Sequence, residues 1–262
     1  MPLTAFQTWL GRLLAGNRSE DSHLAGGAAL LSSPNTLRYS HDLDFFHDSE
    51  ERVASAFAAD RTTLVEAGCS VEEEISQPGY VRAIVRRADD TTKIEWSHDS
   101  SWRFMPVIHS ADFGYQLHPV DVATNKVLAL AGRDEPRDLL DVMHLHESEL
   151  PLGALVWAAS GKDPGFSPLS LLELLRRRGR VREEDLARLH LLEPIDLRRL
   201  KSSWLQALDE AEDFVRSRPP QEAGCLYFDP QTRRFVQPGP DGETVPHFGR
   251  PGGVLPRLLD GK

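Results

Sequence analysis

The sequence predicts an α/β protein (α+β in the wider sense), with a small mixed sheet flanked by helices and a helical C-terminal appendage. Three observations carry this expectation. Helix-like and strand-like stretches alternate through the first 150 residues. Residues 80–99 have the form of an antiparallel hairpin. Beyond about residue 150 the pattern becomes Leu-rich and charge-laced at helical spacing.

Each element has its own signature. Over residues 4–15, Phe6, Trp9, Leu10, Leu13 and Leu14 recur at helical spacing. HLAGGAALL is a short apolar run broken by Gly26 and Gly27, and SSPNT (32–36) is a turn by composition. In LRYSHDLDFFHD the alternation of a strand places Leu43 and Phe45 on one face and Asp42, Asp44 and Phe46 on the other. A helix is expected from Ser49 to Ala67, with Ser49 as its N-cap and Glu50 and Glu51 facing the positive end of its dipole. YVRAIVRRA (80–88) and TTKIEWSHD (91–99) make the hairpin, turning at Asp89–Asp90. Residues 120–131 and 136–147 are two helices about the turn GRDEP, with Asp134 capping the second and Pro136 inside its first turn. Helical patterns fill residues 168–216. Past Pro219 the chain is rich in Pro and Gly, with one hairpin-like piece, CLYFDPQTRRFV. From about Gln237 it reads as a loosely ordered tail. The expected organisation is a main domain over 1–150, a helical appendage over 151–218 and a tail over 219–262.

Composition excludes several classes. The chain has 262 residues, 40% hydrophobic and 27% charged, enough for one sizeable core. A net charge of −10 argues against a surface built for non-specific nucleic-acid binding, which needs many cations to displace counterions. The run Arg176, Arg177, Arg178, Arg180 and Arg182 reads either as a local basic patch or as a solvated helix end. Cys69 and Cys225 stand far apart in no metal-ligand spacing, which suits a reducing compartment. No apolar run approaches the roughly 20 residues of a membrane helix, and MPLTAFQTWLGRLLAG lacks the parts of a signal peptide. A cytoplasmic location without membrane partners is expected.

Asp42 and Asp44 are the centre of the chemical reading. Two carboxylates at i and i+2 of a strand share a face and repel each other, unless a hard cation such as Mg²⁺ binds between them and a substrate phosphate. A solvated sheet edge is the plain alternative. Gly26–Gly27 is a second feature, because a Gly pair lets backbone N–H groups approach phosphate oxygens. Glu95, in KIEW, offers the further carboxylate that two-metal phosphoryl transfer requires, its alternative role being a partner for Lys93 or a cross-strand Arg. Lys126 lies amid an apolar helix, where a charge calls for an anionic partner. His144 and His146, two apart on a helix, face different ways and read as a helix end. His98, His109 and His118 form no pattern, and Tyr39, Phe45, Phe46 and Trp96 read as core.

The order LAGGAAL (24–30), SHDLDFF (40–46), KIEW (93–96) and VATNKVLALAGRDEPRDLLDVMHL (122–145) resembles the AbiEii/AbiGii-type nucleotidyltransferases. These are a toxin–antitoxin branch of the polymerase-beta-like nucleotidyltransferase superfamily. The most specific match is the last, with Lys126, Arg133 and Arg137-Asp138-Leu139-Leu140-Asp141-Val142. The resemblance spans about residues 20–150. It implies a polymerase-beta-like nucleotidyltransferase domain there, with Mg²⁺ (or Mn²⁺) held by Asp42, Asp44 and Glu95. It further implies nucleotide contacts from Gly26, Gly27, Lys126 and Arg137, and catalytic roles for Lys126, Asp138 and Asp141. Arg137 is also spaced to pair with Asp141 on one helix face. The implied substrate is an NTP, the acceptor an RNA such as tRNA or a protein hydroxyl, and the implied partner an antitoxin. Three features depart from the family pattern. Ala28 stands where Thr or Ser is frequent, SSPNT lengthens the link to the strand, and Glu95 replaces the more usual Asp. The rival expectation is a non-catalytic interaction module on the same fold. A D-x-D glycosyltransferase and an Asp-nucleophile phosphatase fit less of the pattern.

Overall fold

A computed structural model of the chain describes residues 3–31, 37–40, 42–133, 135–239 and 242–257. The turn expected at SSPNT, the residue His41 of the SHDLDFF motif and the cap expected at Asp134 lie outside the described residues. The chain divides into two compact units, Met1–Val122 with Pro251–Gly253, and Ala123–Arg250 with Val254–Lys262.

The first unit opens with α1 (Ala5–Leu14). Thr4 caps it by accepting from the Gln7 amide at 3.1 Å, and the Gln7 side chain accepts the Thr4 amide in return at 2.9 Å. A 3₁₀ turn (Ala15–Asn17) leads to β1 (Ser22–Ala25), α2 (Gly26–Leu31), β2 (Asp42–His47) and α3 (Glu50–Glu66). Then follow β3 (Ser70–Gln77), β4 (Tyr80–Arg87), β5 (Asp90–His98), the short β6 (Trp102–Arg103), β7 (Ile108–Ser110) and β8 (Gly114–Gln116). Seven strands form one mixed sheet in the order β3-β4-β5-β2-β1-β8-β7. In its middle, β2 is antiparallel to β1 and parallel to β5. The parallel pair needs a long crossover, which α3 and the β3–β4 ribbon supply.

One face of β2 and β5 makes the core. Leu43, Phe45, Ile94 and Trp96 are fully buried there, and α3 contributes Val53, Ala56 and Leu64 to the interior. A buried ion pair ties α3 to this face. Asp60 accepts the Trp96 indole N–H at 2.7 Å and pairs with Arg18, whose guanidinium lies 4.4 Å from the centroid of the Phe45 ring. Burial pulls the Arg18 guanidinium below its usual value, a displacement that the Asp60 charge and hydrogen bonds oppose.

The expected helix over Ser49–Ala67 forms with Ser49 accepting from the Arg52 amide at 3.1 Å. The hairpin also forms, but its turn lies one residue earlier than expected. Arg87 pairs with Asp90, so the two loop residues are Ala88 and Asp89, and Ala88 takes φ 50°. Register decides this: Val81 opposite Trp96 and Ala83 opposite Ile94 put both strands' apolar residues on one face, and a slip of one would expose them. Strand β3 had no sequence signal. Its SVEEEISQ is exposed almost throughout, and the backbone ladder to β4 holds it at the sheet edge.

The chain passes into the second unit within α4 (Pro119–Gly132), and α5 (Pro136–Ser148), α6 (Leu152–Lys162), α7 (Pro168–Arg178), α8 (Glu183–Ala187) and α9 (Leu197–Ser217) follow. Strands β9 (Cys225–Asp229), β10 (Arg234–Val236) and β11 (Val245–Phe248) then close a three-stranded sheet in the order β10-β9-β11. Helix α6 escapes periodicity because it is buried on every side from Leu152 to Ala159. The hairpin expected in CLYFDPQTRRFV is β9–β10. The loosely ordered tail expected from Gln237 does not hold for β11, which pairs antiparallel with β9 from Val245↔Phe228 to Phe248↔Cys225. Composition pointed to disorder there, yet β9 offered a free edge whose backbone groups needed partners. No helix among the described residues is long and apolar enough to cross a membrane.

Candidate active site

The register of three strands assembles the acidic group. Asp42 stands opposite Lys93 and Asp44 opposite Glu95 across the parallel β2–β5 pair, while Ala25 of β1 stands opposite Asp44 on the other side. Period-two alternation therefore gives Asp42, Asp44, Lys93 and Glu95 one common face, with the buried Leu43, Phe45, Ile94 and Trp96 behind them. Asp42, Asp44 and Glu95 each present a carboxylate oxygen, and these atoms lie within 4.8 Å of one another.

Lys93 sits among them. Its ammonium donates to Glu95 Oε1 at 2.9 Å and to Asp42 Oδ2 at 3.1 Å. Burial alone would lower the Lys93 pKa, but the hydrogen bonds and charges of Glu95 and Asp42 outweigh that and raise it. Arg82, opposite Glu95 on β4, donates from Nε to the same carboxylate oxygen at 3.0 Å. Both alternatives that the sequence left open for Glu95, Lys93 and a cross-strand Arg, are thus present together with the acidic triad.

Gly26 is fixed by this corner. It has φ +60°, and a Cβ there would fall 2.0 Å from Asp44 Oδ2 and 2.9 Å from Asp44 Cβ. Only glycine fits between the end of β1 and the Asp44 carboxylate. At Gly27 an added Cβ would meet Arg38 Nη2 at 3.3 Å and Ser40 Oγ at 3.4 Å. Arg38 is buried beside it, and Ser40 donates to the Asp42 carbonyl at 2.9 Å. Ala28 is fully buried.

Lys126, Asp138 and Asp141 form a separate cluster inside the second unit. Lys126 Nζ lies 2.7 Å from Asp141 Oδ2 and 3.3 Å from Asp138 Oδ1. Arg133 grips Asp138 with both arms, Nε to Oδ2 at 2.6 Å and Nη2 to Oδ1 at 3.0 Å. Asp138 is wholly buried, and Lys126 and Asp141 nearly so. The anionic partner that Lys126 called for is therefore this i, i+3 pair on α5. Arg137 lies half-buried one turn before Asp141 on the same helix.

Sequence reading named the triad but treated Lys93 only as a possible partner of Glu95. The Lys-x-Glu spacing on a strand already puts both on the carboxylate face. Arg38 was missed, and Arg82 was foreseen only as an unnamed cross-strand Arg, because nothing local shows which Arg will be drawn against a distant carboxylate or glycine. Tyr39 was expected in the core and is 39% exposed; Phe45 and Trp96 are buried as expected, and Phe46 is half-buried. His146 serves the helix end, its Nδ1 accepting the Leu152 amide at 2.9 Å. His118 accepts the Val120 amide at 3.3 Å, and burial pushes its pKa down to about 4.

A mixed sheet that carries three convergent carboxylates on adjacent strands is compatible with metal-dependent phosphoryl-transfer chemistry. Residues 10–221 match the family model described as nucleotidyl transferase AbiEii toxin, type IV toxin–antitoxin system, and the chain belongs to that family. It is accordingly a nucleotidyltransferase of a toxin–antitoxin type. No match was found among curated proteins. Among solved structures, it is similar to MenT4, a nucleotidyltransferase toxin of Mycobacterium tuberculosis H37Rv, at 16% identity and TM-score 0.53, over 84% of this chain and 85% of that one. It is also similar to a candidate nucleotidyltransferase of H. pylori, at 17% identity and TM-score 0.50, over 80% of this chain and 94% of that one. These likenesses bear out the expected fold. The family's chemistry points to a divalent metal, a nucleotide substrate and an antitoxin partner, and an acidic triad suited to such a metal is present.

Proposed function

We propose that the protein transfers a nucleoside monophosphate from an NTP to a hydroxyl on an RNA such as tRNA, or on a protein, with Asp42, Asp44 and Glu95 holding Mg²⁺ or Mn²⁺. The observation that carries this reading is the convergence of three carboxylate oxygens within 4.8 Å, where Lys93 supplies a cation in the ion's stead. The donors are all hard oxygens, the set that Mg²⁺ and Mn²⁺ prefer. When bound, such an ion neutralises triphosphate charge and polarises the α-phosphate. The chain's own residues position the reactants. Gly26 and Gly27 keep the backbone beside Asp44 open to the triphosphate. Glu95 accepts the proton of the attacking hydroxyl as its oxygen bonds to the α-phosphorus, and the bond to the pyrophosphate oxygen breaks. The family resemblance supports nucleotide contacts from Lys126, which Asp138 and Asp141 hold, and from Arg137. The protein works in the cytoplasm, with an antitoxin as its partner.

The test is transfer of label from each α-³²P NTP, with Mg²⁺ and total cellular RNA, by wild type and an Asp42→Ala, Asp44→Ala variant. Label entering RNA or protein in wild type, and falling by roughly 10³-fold or more in the variant, is the expected outcome. Absence of label, together with absence of Mg²⁺-dependent NTP binding by calorimetry, would instead leave a non-catalytic interaction module.

A further inference from the structure

The second unit contains a cavity of about 750 Å³ among the ends of α4 and α7, the start of α5, α8 and α9. That volume lies in the range of small-molecule sites, roughly 300–1,000 Å³. Its floor is apolar and includes Leu139, Val181 and Trp204, all buried. Its rim is basic. Six cationic side chains line it against two acids, Glu135 and Asp185, in a chain whose net charge is −10.

Two of the six cations are already engaged. Arg176 pairs with Asp209 and Glu212 at 2.9 Å each, and Arg182 pairs with Asp185 at 3.3 Å. Arg178, Arg180, Arg188 and Lys201 form no ion pair among the described residues, although Arg188 feels the Asp185 charge from further off. Arg178 has its Nε buried with no hydrogen-bond acceptor among the described residues. The backbone aims these groups. Gly179 ends α7 against the Trp204 indole, where a Cβ would fall 2.1 Å from Nε1. Arg178 and Arg180, the neighbours of Gly179 in the chain, both line the cavity beside Trp204. Like charges gathered on one cavity repel, and an anion that enters relieves the repulsion. Guanidinium forks favour the paired oxygens of a phosphate.

We propose that this cavity is a nucleotide-binding site separate from the acidic triad, which takes the base and sugar on its apolar floor and the phosphates on Arg178, Arg180, Arg188 and Lys201. A free nucleotide and the terminal nucleotide of an RNA strand share this chemistry. The triad has no part in it, so failure of the transfer assay leaves it standing.

The experiment measures binding in EDTA, which keeps metal from the triad. The probes are ATP, followed by calorimetry, and a 5′-phosphorylated, 3′-fluorescein single-stranded RNA dodecamer, followed by anisotropy. The variants are Arg180→Glu with Arg188→Glu, and Arg177→Glu as an exposed control outside the cavity. Thermal unfolding checks that each is folded. The expected result is binding that weakens at least tenfold in the Arg180/Arg188 variant and is unchanged in the control. The salt dependence should also flatten, by about one in log–log slope per lost phosphate contact. ATP competing with the RNA identifies a free-nucleotide site, and RNA binding without ATP identifies a strand end; both support the proposal. Binding of neither probe overturns it, as does equal weakening by Arg177→Glu, or binding that survives the Arg180/Arg188 reversal.

Discussion

Asp42 and Asp44 stand two apart on a strand, Asp138 and Asp141 three apart on a helix, and the protein neutralises the two pairs in different ways. The strand pair is joined by Glu95 and met by Lys93, which is 27% exposed, while Arg82 pairs with Glu95. The helix pair is met by Lys126, itself 7% exposed, and Asp138 is also gripped by both arms of Arg133. Water reaches Lys93 and Glu95 more than Lys126 and Asp141, although Asp42 is itself nearly buried and Arg133 is half exposed. A partly solvated carboxylate group can exchange a lysine for a metal ion. A buried, hydrogen-bonded group cannot exchange its lysine without leaving charges stranded in a medium of low dielectric. Both motifs look alike in sequence, two acids on one face with a lysine nearby, and solvation separates their roles.

Three variants would break or sharpen this contrast. The largest effect is expected from Lys126→Met, which takes the buried Asp141 from its lysine and leaves Asp138 to Arg133. It should cost about 3–5 kcal/mol in denaturant unfolding, with the deficit the same in Mg²⁺ as in chelator. A loss below about 1 kcal/mol would show that the helix cluster is as solvated as the strand cluster. Next in size is Gly26→Ala. Its positive φ and the displaced Asp44 carboxylate should cost roughly 1–3 kcal/mol, and Mn²⁺ affinity measured by calorimetry should fall with it. Unchanged metal affinity would detach Gly26 from the Asp44 corner. The smallest stability effect belongs to Lys93→Met, at most about 1 kcal/mol in chelator because the pair is partly solvated. Added Mn²⁺ should stabilise this variant more than wild type, since the ion no longer competes with the lysine. Equal stabilisation of the two would mean that Lys93 does not occupy the place of the ion.

Much of the site was legible because alternation on a strand is a local property. Asp42 and Asp44 share a face by spacing alone, as do Lys93 and Glu95, and neither inference needs a partner strand. The helix cluster was half legible: Lys126 in an apolar stretch demanded an anion, and the i, i+3 spacing set Asp138 beside Asp141. Elements whose signal is not periodic went unread. Helix α6 is apolar all round, β3 is polar all round, and β11 hides in a stretch of Pro and Gly.

By itself, then, the sequence determined which residues alternate, which helices begin at Ser49 and Pro136, and that two acids on one strand share a face. Only the tertiary structure decided that β5 lies parallel beside β2 with Glu95 opposite Asp44, that the hairpin turns at Ala88–Asp89, and that six arginine and lysine side chains line one cavity. The reason is physical. Propensity and periodicity act within a few residues of the chain. Register and burial are settled by contacts between segments far apart in sequence, where hiding apolar faces outweighs local preference.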